Sequence, residues 1–407
     1  MMKRTPVLES QGTLQVSKNG PRTRHGVAFF IFGLVNNIVY VIFLSAANDI
    51  IKADSSIKKS SVLLASIMPC LLLKIVCPHL VQVVPYAVMV SLCIILSLSS
   101  LVLVGVYEAI WIKFAGIVLC SLASGIGETA FLALSSRYHS GVVIAWSSGT
   151  GVAGIIGAVY YWTVRSVLQW SLVRTTLTAC VWPLLMGLAY TLILGPRHPE
   201  LTIVPQDSPA SSPKINLEAE EERVVSLKDR LKHIRPLFVS YIIPLFLVYY
   251  VEYTINTSVY FALLYPLKAT PFSSSDDHYR TYSALYQVGV FLSRTFGRRV
   301  APVRNGWWFA ILQILMLVIL SCEVVFNYIG TIYVIFILIL IEGLLGGAAY
   351  VNTYCNISEN VDRKNLEFSM AVTGIADSSG IGLAALTSLA FEPYLCQRNA
   401  VCRILRQ

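Results

Sequence analysis

The chain has 407 residues, of which 56% are hydrophobic and 13% charged, and its formal net charge is +9. Soluble domains carry about 25% charged residues, so these proportions exclude an ordinary water-soluble fold. Apolar runs of membrane-spanning length, roughly 20 residues each, recur along almost the whole chain and predict an all-α polytopic membrane protein.

The apolar runs predict eleven transmembrane helices. The first follows a polar tail and is longer than the apolar region of a signal peptide, so it is expected to stay attached. The eighth is interrupted by polar residues and by Arg294. The expected spans are 26–48, 61–81, 85–107, 110–134, 142–164, 174–194, 236–263, 281–300, 306–327, 329–351 and 368–391.

One long polar stretch, residues 195–235, separates the sixth span from the seventh. It mixes Pro and Ser with charged residues and has an amphipathic pattern over 217–234, so we expect a disordered linker followed by an interfacial helix. Two groups of helices joined in this way are typical of a transporter whose two lobes rock about a site near the bilayer midplane. The expected units are a cytosolic tail 1–25, an N-terminal lobe 26–194, the cytosolic linker 195–235, a C-terminal lobe 236–391 and a C-terminal tail 392–407.

Basic residues are distributed unevenly between the two ends of the spans. If the N-terminus is cytosolic, most Lys and Arg lie in cytosolic segments, among them Arg298, Arg299 and Arg304, as the positive-inside rule requires. Anchoring against anionic lipid then accounts for the net positive charge. We therefore expect the bilayer to be the partner of these residues and expect no nucleic acid.

Residues 147–157, SSGTGVAGIIG, contain a formal match to the glycine fingerprint of dinucleotide-binding loops. That fingerprint follows a strand and opens a water-accessible helix, whereas this match lies inside one continuous apolar segment. Glycines spaced in this way strip side chains from a helix face and let a neighbouring helix approach closely. We expect Gly149, Gly151, Gly154 and Gly157 to pack helices or to form a sliding lobe interface, and we expect no cofactor.

Ionisable residues inside the expected spans are candidates for function, because a charge at bilayer depth costs several kcal/mol unless it is paired or faces water. Buried carboxylates could exchange protons near the pH of an acidic organelle, as a proton-coupled transporter requires. The alternative role for such a group is to pin two helices together. The candidates are the acidic residues Glu128, Glu252, Glu342 and Asp377 and the basic residues Lys74 and Arg294.

Two adjacent amides, Asn36 and Asn37, lie in the first span. Each offers two donors and an acceptor, so in hydrocarbon each must face protein, water or solute. The sequence leaves two roles open for them, which are binding of a polar solute and hydrogen bonding between helices.

Residues 289–299 resemble the loop motif of the major facilitator superfamily, which that superfamily can carry between the second and third helices of its second half. Ser293 replaces the usual acid, and one residue is inserted before Gly297. The alternative is a basic helix end that snorkels to the membrane surface.

Motifs for catalysis and for metal binding are missing from the sequence. The nine cysteines form no C-x-x-C pair, and neither G-x-S-x-G nor H-E-x-x-H occurs. We therefore expect no metal site and no enzyme activity. Cys396 and Cys402 could pair if the C-terminal tail is lumenal.

Several segments resemble the signature blocks of the battenin family, which comprises the juvenile Batten disease protein and its fungal relatives. The chain length is similar to that of a fungal member, and the C-terminus CRILRQ lacks the prenylation box of the human type. The blocks occur in family order at 32–50, 121–134, 147–157, 248–256, 286–294 and 342–357.

The resemblance implies a major-facilitator-like transporter of the lysosome or fungal vacuole. It links the chain to vacuolar pH homeostasis, to basic amino acids such as arginine and to glycerophosphodiesters. A guanidinium solute would be matched by Glu128 and Glu252, and a phosphodiester by Lys74 or Arg294. The sequence contains both sets of residues, so the solute stays open.

We expect the solute to bind between the lobes near Asn36, Asn37, Glu128 and Glu252, while protonation of a buried carboxylate favours one facing state. The alternative is a membrane scaffold or trafficking factor that has no solute of its own and acts through residues 195–235.

Overall fold

The computed structural model describes residues 22–46, 49–50, 59–81, 83–195, 236–272 and 274–405. Long helices make up most of this part of the chain, and no strand occurs within it. Most of the predicted N-terminal tail and nearly all of the predicted linker, with its amphipathic helix, lie outside the described residues.

Eleven long helices occupy the described positions at which the sequence predicts a span. The N-terminal lobe consists of α1 (Arg22–Ser45), α2 (Lys59–Leu80), α3 (Tyr86–Val106), α4 (Ile110–Ser135), α5 (Gly141–Trp162) and α6 (Leu172–Leu194). The C-terminal lobe consists of α7 (Phe238–Ala262), α8 (Asp276–Val300), α9 (Trp307–Phe326), α10 (Ile332–Asn360), α11 (Arg363–Arg398) and the short α12 (Ala400–Leu405).

Nine helices in the described part of the chain are long and apolar enough to cross a membrane. The two long helices that fall short are α2, whose apolar stretch is limited to Leu64–Pro78, and α8. Both pack across the lobe boundary, α2 against α11 and α8 against α5. The polar residues of α2 and α8 are therefore placed where protein can surround them. The long apolar helices confirm the predicted all-α polytopic membrane fold.

The helices end where the chain leaves the conformations that a helix allows. Inside a bilayer the backbone must satisfy its own hydrogen bonds, so the apolar runs become continuous helices. Gly195, with φ of 84°, follows the last residue of α6, and Asn327, with φ of 47°, caps α9. Pro85 directly precedes α3, because it lacks the N–H that a helix interior requires.

The two lobes meet mainly at one end of the bundle. We call this end the near face; α1 begins there, and it carries the connections α2–α3, α4–α5, α8–α9 and α10–α11. The opposite end is the far face. In the near half, one large apolar core contains residues from both lobes: from α1, α3, α4, α5 and α6, and from α7, α10 and α11. Towards the far face, each lobe has a separate apolar core. The lobes are therefore closed together at the near face.

The glycines of α5 face two different helices. A Cβ atom at Gly149 or Gly157 would run into α1 of the same lobe. A Cβ atom at Gly151 would meet α8 of the other lobe, and one at Gly154 would overlap the Gln287 amide of α8. The glycines thus permit close packing both within the N-terminal lobe and between the lobes, and this stretch is helix interior.

Candidate solute site

A cavity of about 100 Å³ lies between the two lobes near the middle of the bundle. Its wall is formed by α1, α2, α4 and α5 from one lobe and by α7, α8, α10 and α11 from the other. Four charged side chains reach this space from both lobes. These are Lys74, Glu128, Arg294 and Asp377, and the neutral polar residues beside them include Asn37, Tyr40, Ser66, Thr150, Tyr249, Tyr253, Tyr350 and Ser378.

Three of the charged residues form one buried ion cluster, which we call the charged triad. Lys74 Nζ lies 2.7 Å from Glu128 Oε2 and 2.9 Å from Asp377 Oδ1. The Lys74 side chain is only 1% exposed. Because α2 and α4 belong to one lobe and α11 to the other, the triad crosses the lobe boundary. One cation between two carboxylates leaves a formal charge of −1.

The carboxylates of the triad also have neutral hydrogen-bond donors. The Tyr350 hydroxyl donates to Glu128 Oε1 at 3.5 Å, and the Ser378 hydroxyl donates to Asp377 Oδ1 at 3.1 Å. Buried ion pairs are maintained only when their remaining lone pairs are satisfied in this way. The triad is thus a built arrangement in which both carboxylates have hydrogen-bond donors besides Lys74.

Arg294 is the fourth charged residue of the cavity, and it has a different environment. Its guanidinium donates to the Thr150 hydroxyl at 2.6 Å and to the Tyr249 hydroxyl at 2.8 Å, and it stacks 4.3 Å from the centroid of the Tyr350 ring. Its Nε is buried and has no hydrogen-bond partner among the described residues. No carboxylate of the described chain forms an ion pair with it. Arg294 can therefore bind an anionic group of a ligand by donating hydrogen bonds to it.

The two asparagines of α1 are separated by the structure. Asn36 is buried, and its side-chain nitrogen donates to the Ser124 carbonyl oxygen of α4 at 3.2 Å. Asn37 lines the cavity and donates to the Gly33 carbonyl oxygen of its own helix at 3.1 Å. The oxygen of the Asn37 amide can therefore serve a solute, whereas Asn36 connects α1 to α4.

Glu252 and Glu342 lie outside the wall of the cavity, in the interior of the C-terminal lobe. Glu252 is 1% exposed and accepts a hydrogen bond from the Tyr286 hydroxyl. Glu342 is fully buried and accepts from the Tyr260 hydroxyl at 2.8 Å and from the Gln313 amide at 3.0 Å. The sequence-based hypothesis expected Glu252 to lie at the solute site with Asn37 and Glu128. In the structure, Glu252 is not part of the cavity wall.

Aromatic and hydroxyl side chains complete the cavity, and sequence reasoning did not identify them. Trp146 of α5 donates to the Tyr350 hydroxyl of α10 at 3.0 Å, which places Tyr350 between the triad and Arg294. Tyr249 lies three residues before Glu252 in the segment VYYVEYTIN. Tyrosines in apolar runs are usually packing residues that need one partner for the hydroxyl, so their type alone did not distinguish a lining role.

Polar contacts between the lobes close the near-face side of the cavity. The Ser148 and Thr295 hydroxyls lie 2.8 Å apart across the α5–α8 contact. Nearer the bundle end, Arg137 lies 3.3 Å from the Glu367 carboxylate of α11, and the Tyr86 hydroxyl also donates to that carboxylate. These contacts must separate for the cavity to open towards the near face.

The segment that resembles the major-facilitator loop motif lies at the near-face end of α8. Arg298 donates to the side-chain oxygens of Asn352 at 3.0 Å and of Asn356 at 2.8 Å, both on α10. Ser293 donates to the carbonyl oxygen of Val290 in its own helix at 3.2 Å. Arg298 therefore ties α8 to α10, whereas the exposed Arg299 fits a helix end that snorkels.

Two smaller expectations can be compared with the structure. Cys396 and Cys402 form a disulfide that joins the end of α11 to α12 at the far face. Within the described ranges, no group of three or more His, Cys, Asp or Glu residues is arranged to hold a metal ion.

Comparison with known proteins identifies close relatives along almost the entire chain. The model of the CLN3 protein family matches residues 27–398. Protein btn1 of Aspergillus fumigatus is 37% identical over 93% of this chain and 89% of its own length.

Solved structures with the same architecture are much more distant in sequence. The human organic anion transporter MFSD10 superposes with a TM-score of 0.59 at 13% identity, over 94% of this chain and 96% of its own. The major facilitator superfamily transporter FucP, in its outward conformation, superposes with a TM-score of 0.57 at 14% identity, over 93% and 98%. At this identity the similarity establishes the fold, which is that of the major facilitator superfamily.

Proposed function

The chain belongs to the CLN3, or battenin, family, and from that premise we propose that it is a secondary transporter of the vacuolar membrane. It moves a small polar solute through the cavity between its lobes and thereby contributes to vacuolar solute and pH homeostasis. Neither the family nor the fold is that of an enzyme.

The observation that carries this proposal is the charged cavity on the lobe boundary. Lys74, Glu128 and Asp377 connect the lobes through ion pairs, so a solute that changes these contacts also changes how the lobes are held together. A ligand shifts a conformational equilibrium only by binding the two states differently. Charged groups contributed by both lobes supply that difference.

The charge distribution favours a solute that carries an anionic group. Lys74 already occupies the carboxylates of Glu128 and Asp377, so a guanidinium solute would have to displace it. Arg294 faces the cavity without an ion-pair partner in the described chain. Of the two candidate classes, glycerophosphodiesters therefore fit better than arginine, with the phosphate at Arg294.

The proposal includes a membrane orientation and a facing state, which rest on the positive-inside rule and on the contacts at the near face. With the N-terminus in the cytosol, the near face is cytosolic, and the basic residues Arg137, Arg298, Arg299 and Arg304 lie there. The lobes are closed at that face, so the cavity is oriented towards the vacuolar lumen. Transport into the cytosol then requires the Arg137–Glu367 and Ser148–Thr295 contacts to open.

A transport assay on the purified protein tests the proposal. Proteoliposomes that contain only this protein are loaded with unlabelled glycerophosphocholine or arginine, and exchange with labelled solute is followed at equal pH on both sides. Exchange of glycerophosphocholine supports the proposal, and exchange of arginine alone contradicts the assignment of the anion to Arg294. If neither solute moves, the alternative of a scaffold that acts through residues 195–235 is favoured.

Replacement of Arg294 tests the site itself. Arg294→Gln removes a charge-assisted hydrogen bond worth about 1.5–3 kcal/mol, so the KM for glycerophosphocholine should rise by about 10-fold to 150-fold. Arg299→Gln, on the same helix but exposed, removes the same charge outside the cavity and should leave the KM unchanged. An unchanged KM in Arg294→Gln would remove Arg294 from the solute site.

A further inference from the structure

The interior of the C-terminal lobe contains a second polar site that is separate from the solute cavity. Glu252 of α7 and Glu342 of α10 lie there with Tyr260 of α7, Tyr286 of α8 and Gln313 of α9. Each of the two carboxylates is at most 1% exposed, and Gln313 is fully buried. Four helices of one lobe therefore enclose these polar groups where no solvent reaches them.

The Glu252 carboxyl group of α7 lies against the same face of α10 that carries Glu342. A Cβ atom at Gly346 would overlap the Glu252 carboxylate, so this carboxylate lies directly against α10 at that residue. Gly346 follows Glu342 by four residues, which places the two positions about one helical turn apart on the same face. We call Glu252 and Glu342 the carboxyl pair.

The hydrogen-bond partners of the carboxyl pair are all uncharged. Glu252 accepts from Tyr286, and Glu342 accepts from Tyr260 and Gln313. Neither carboxylate forms an ion pair with a basic residue of the described chain. Ionisation of both groups would place two like charges side by side away from solvent, with Arg294 of the cavity as the cation that acts on Glu252.

Two atoms at the pair have no hydrogen-bond partner among the described residues. These are Glu252 Oε2 and Gln313 Oε1, both buried. A buried acceptor without a donor costs free energy, and a proton on a carboxyl group converts one oxygen from acceptor to donor. A proton on Glu252 Oε2 would remove a buried acceptor that has no donor among the described residues.

We propose that the carboxyl pair is a proton-binding site of the C-terminal lobe, distinct from the solute site and coupled to it. This inference rests on the proposed transport function. Glu252 and Glu342 carry protons during the cycle, and the charged triad remains ionised. The titratable or charged groups that face the pair are Tyr249, Tyr253 and Tyr260 on α7 and Tyr286 and Arg294 on α8.

Arg294 couples the pair to the solute. Glu252 lies one helical turn from Tyr249, whose hydroxyl accepts a hydrogen bond from Arg294. An ionised Glu252 would compensate the charge of Arg294, whereas a protonated Glu252 leaves that charge to an anionic solute. Linkage requires the converse effect with the same free energy, so solute binding at Arg294 favours protonation of Glu252.

Two assays on the full-length protein in proteoliposomes test this site with labelled glycerophosphocholine. The first follows exchange at equal pH on both sides, and the second follows accumulation driven by a pH gradient, for which one pH unit supports about 10-fold accumulation per proton. Glu252→Gln and Glu342→Gln imitate the protonated acid. Each should retain exchange and lose gradient-driven accumulation.

The matched control is Glu323→Gln, which removes a buried carboxylate of the same lobe. Glu323 lies at the far-face end of α9, where it accepts from the Tyr265 hydroxyl and from the Ile329 backbone N–H, away from the pair. This variant should retain both activities. Accumulation at the wild-type level in Glu252→Gln and Glu342→Gln would overturn the inference, as would loss of exchange in variants that remain monodisperse.

Tyr260→Phe and Tyr286→Phe provide a second test that does not depend on the stability of the glutamine variants. Each removes one neutral donor from the pair and leaves every charge in place. The pH of half-maximal accumulation should shift, while exchange at equal pH continues. An unchanged pH profile in both variants contradicts a proton site at the pair, and absence of exchange in the wild type contradicts the transport proposal instead.

Discussion

The charged triad and the carboxyl pair both contain buried glutamates, but the partners of these glutamates differ. In the charged triad, Glu128 forms an ion pair with Lys74 at the lobe boundary and shares that cation with Asp377. In the carboxyl pair, Glu252 and Glu342 have only hydroxyl and amide donors inside one lobe. The same side chain therefore suits different chemistry in each place: the partners, and not the depth of burial, decide whether it acts as an anion or as a proton carrier.

The largest effect is expected from breaking the triad. Lys74→Gln leaves two buried carboxylates without a cation, and removal of one partner from a buried ion pair typically costs about 3–5 kcal/mol of folding stability. Thermal unfolding in detergent should show a large decrease in melting temperature. Adding Glu128→Gln and Asp377→Asn to Lys74→Gln removes the uncompensated charge and should restore much of the loss. A single Lys74→Gln variant as stable as the wild type would contradict the ionised triad.

A much smaller effect is expected from the corresponding change in the carboxyl pair. Glu342→Gln replaces a neutral acid with a neutral amide of similar shape, so the free energy of unfolding should change by no more than about 1 kcal/mol. The same unfolding measurement checks this value. A loss as large as that of Lys74→Gln would show that Glu342 is a compensated anion and would remove the difference between the two regions.

The smallest effect is expected from the ion pair between the lobes at the near face, Arg137–Glu367. Arg137 and Glu367 are 31% and 23% exposed, and exposed pairs contribute less than about 1 kcal/mol. Glu367→Gln should therefore leave the melting temperature nearly unchanged, although opening of the near face should become easier. Labelling of a cysteine introduced near the α4–α5 connection reports this opening, and a large stability loss without faster labelling would contradict the gating role.

The sequence predicted the fold more completely than the site. Apolar runs locate helices because a bilayer leaves the backbone few alternatives, and even α2 and α8 lie where the sequence placed them. Among the polar residues that weaken the apolar signal of α8, Arg294 faces the cavity and Thr295 contacts α5 of the other lobe. Polar interruptions therefore carried information about the lobe boundary.

The separation of Glu252 from Glu128 was beyond sequence reasoning. Both residues interrupt apolar helices with a single acid, and no local pattern shows which helix face meets the other lobe. Gly346, which makes room for the Glu252 carboxylate, lies 94 positions later in the chain. Long-range packing of this kind also places Tyr350 in the cavity wall and determines that the α5 glycines contact two different helices.

The difference between the two regions is tested most directly by infrared difference spectroscopy of the purified protein at neutral pH. Protonated carboxylic acids give a carbonyl stretching band that shifts in D₂O and is absent from carboxylates. The structure predicts that this band is present in the wild type, reduced in Glu252→Gln and Glu342→Gln, and unchanged in Glu128→Gln. A band that disappears only in Glu128→Gln, or no band in the wild type, would contradict the assignment of protons to the carboxyl pair.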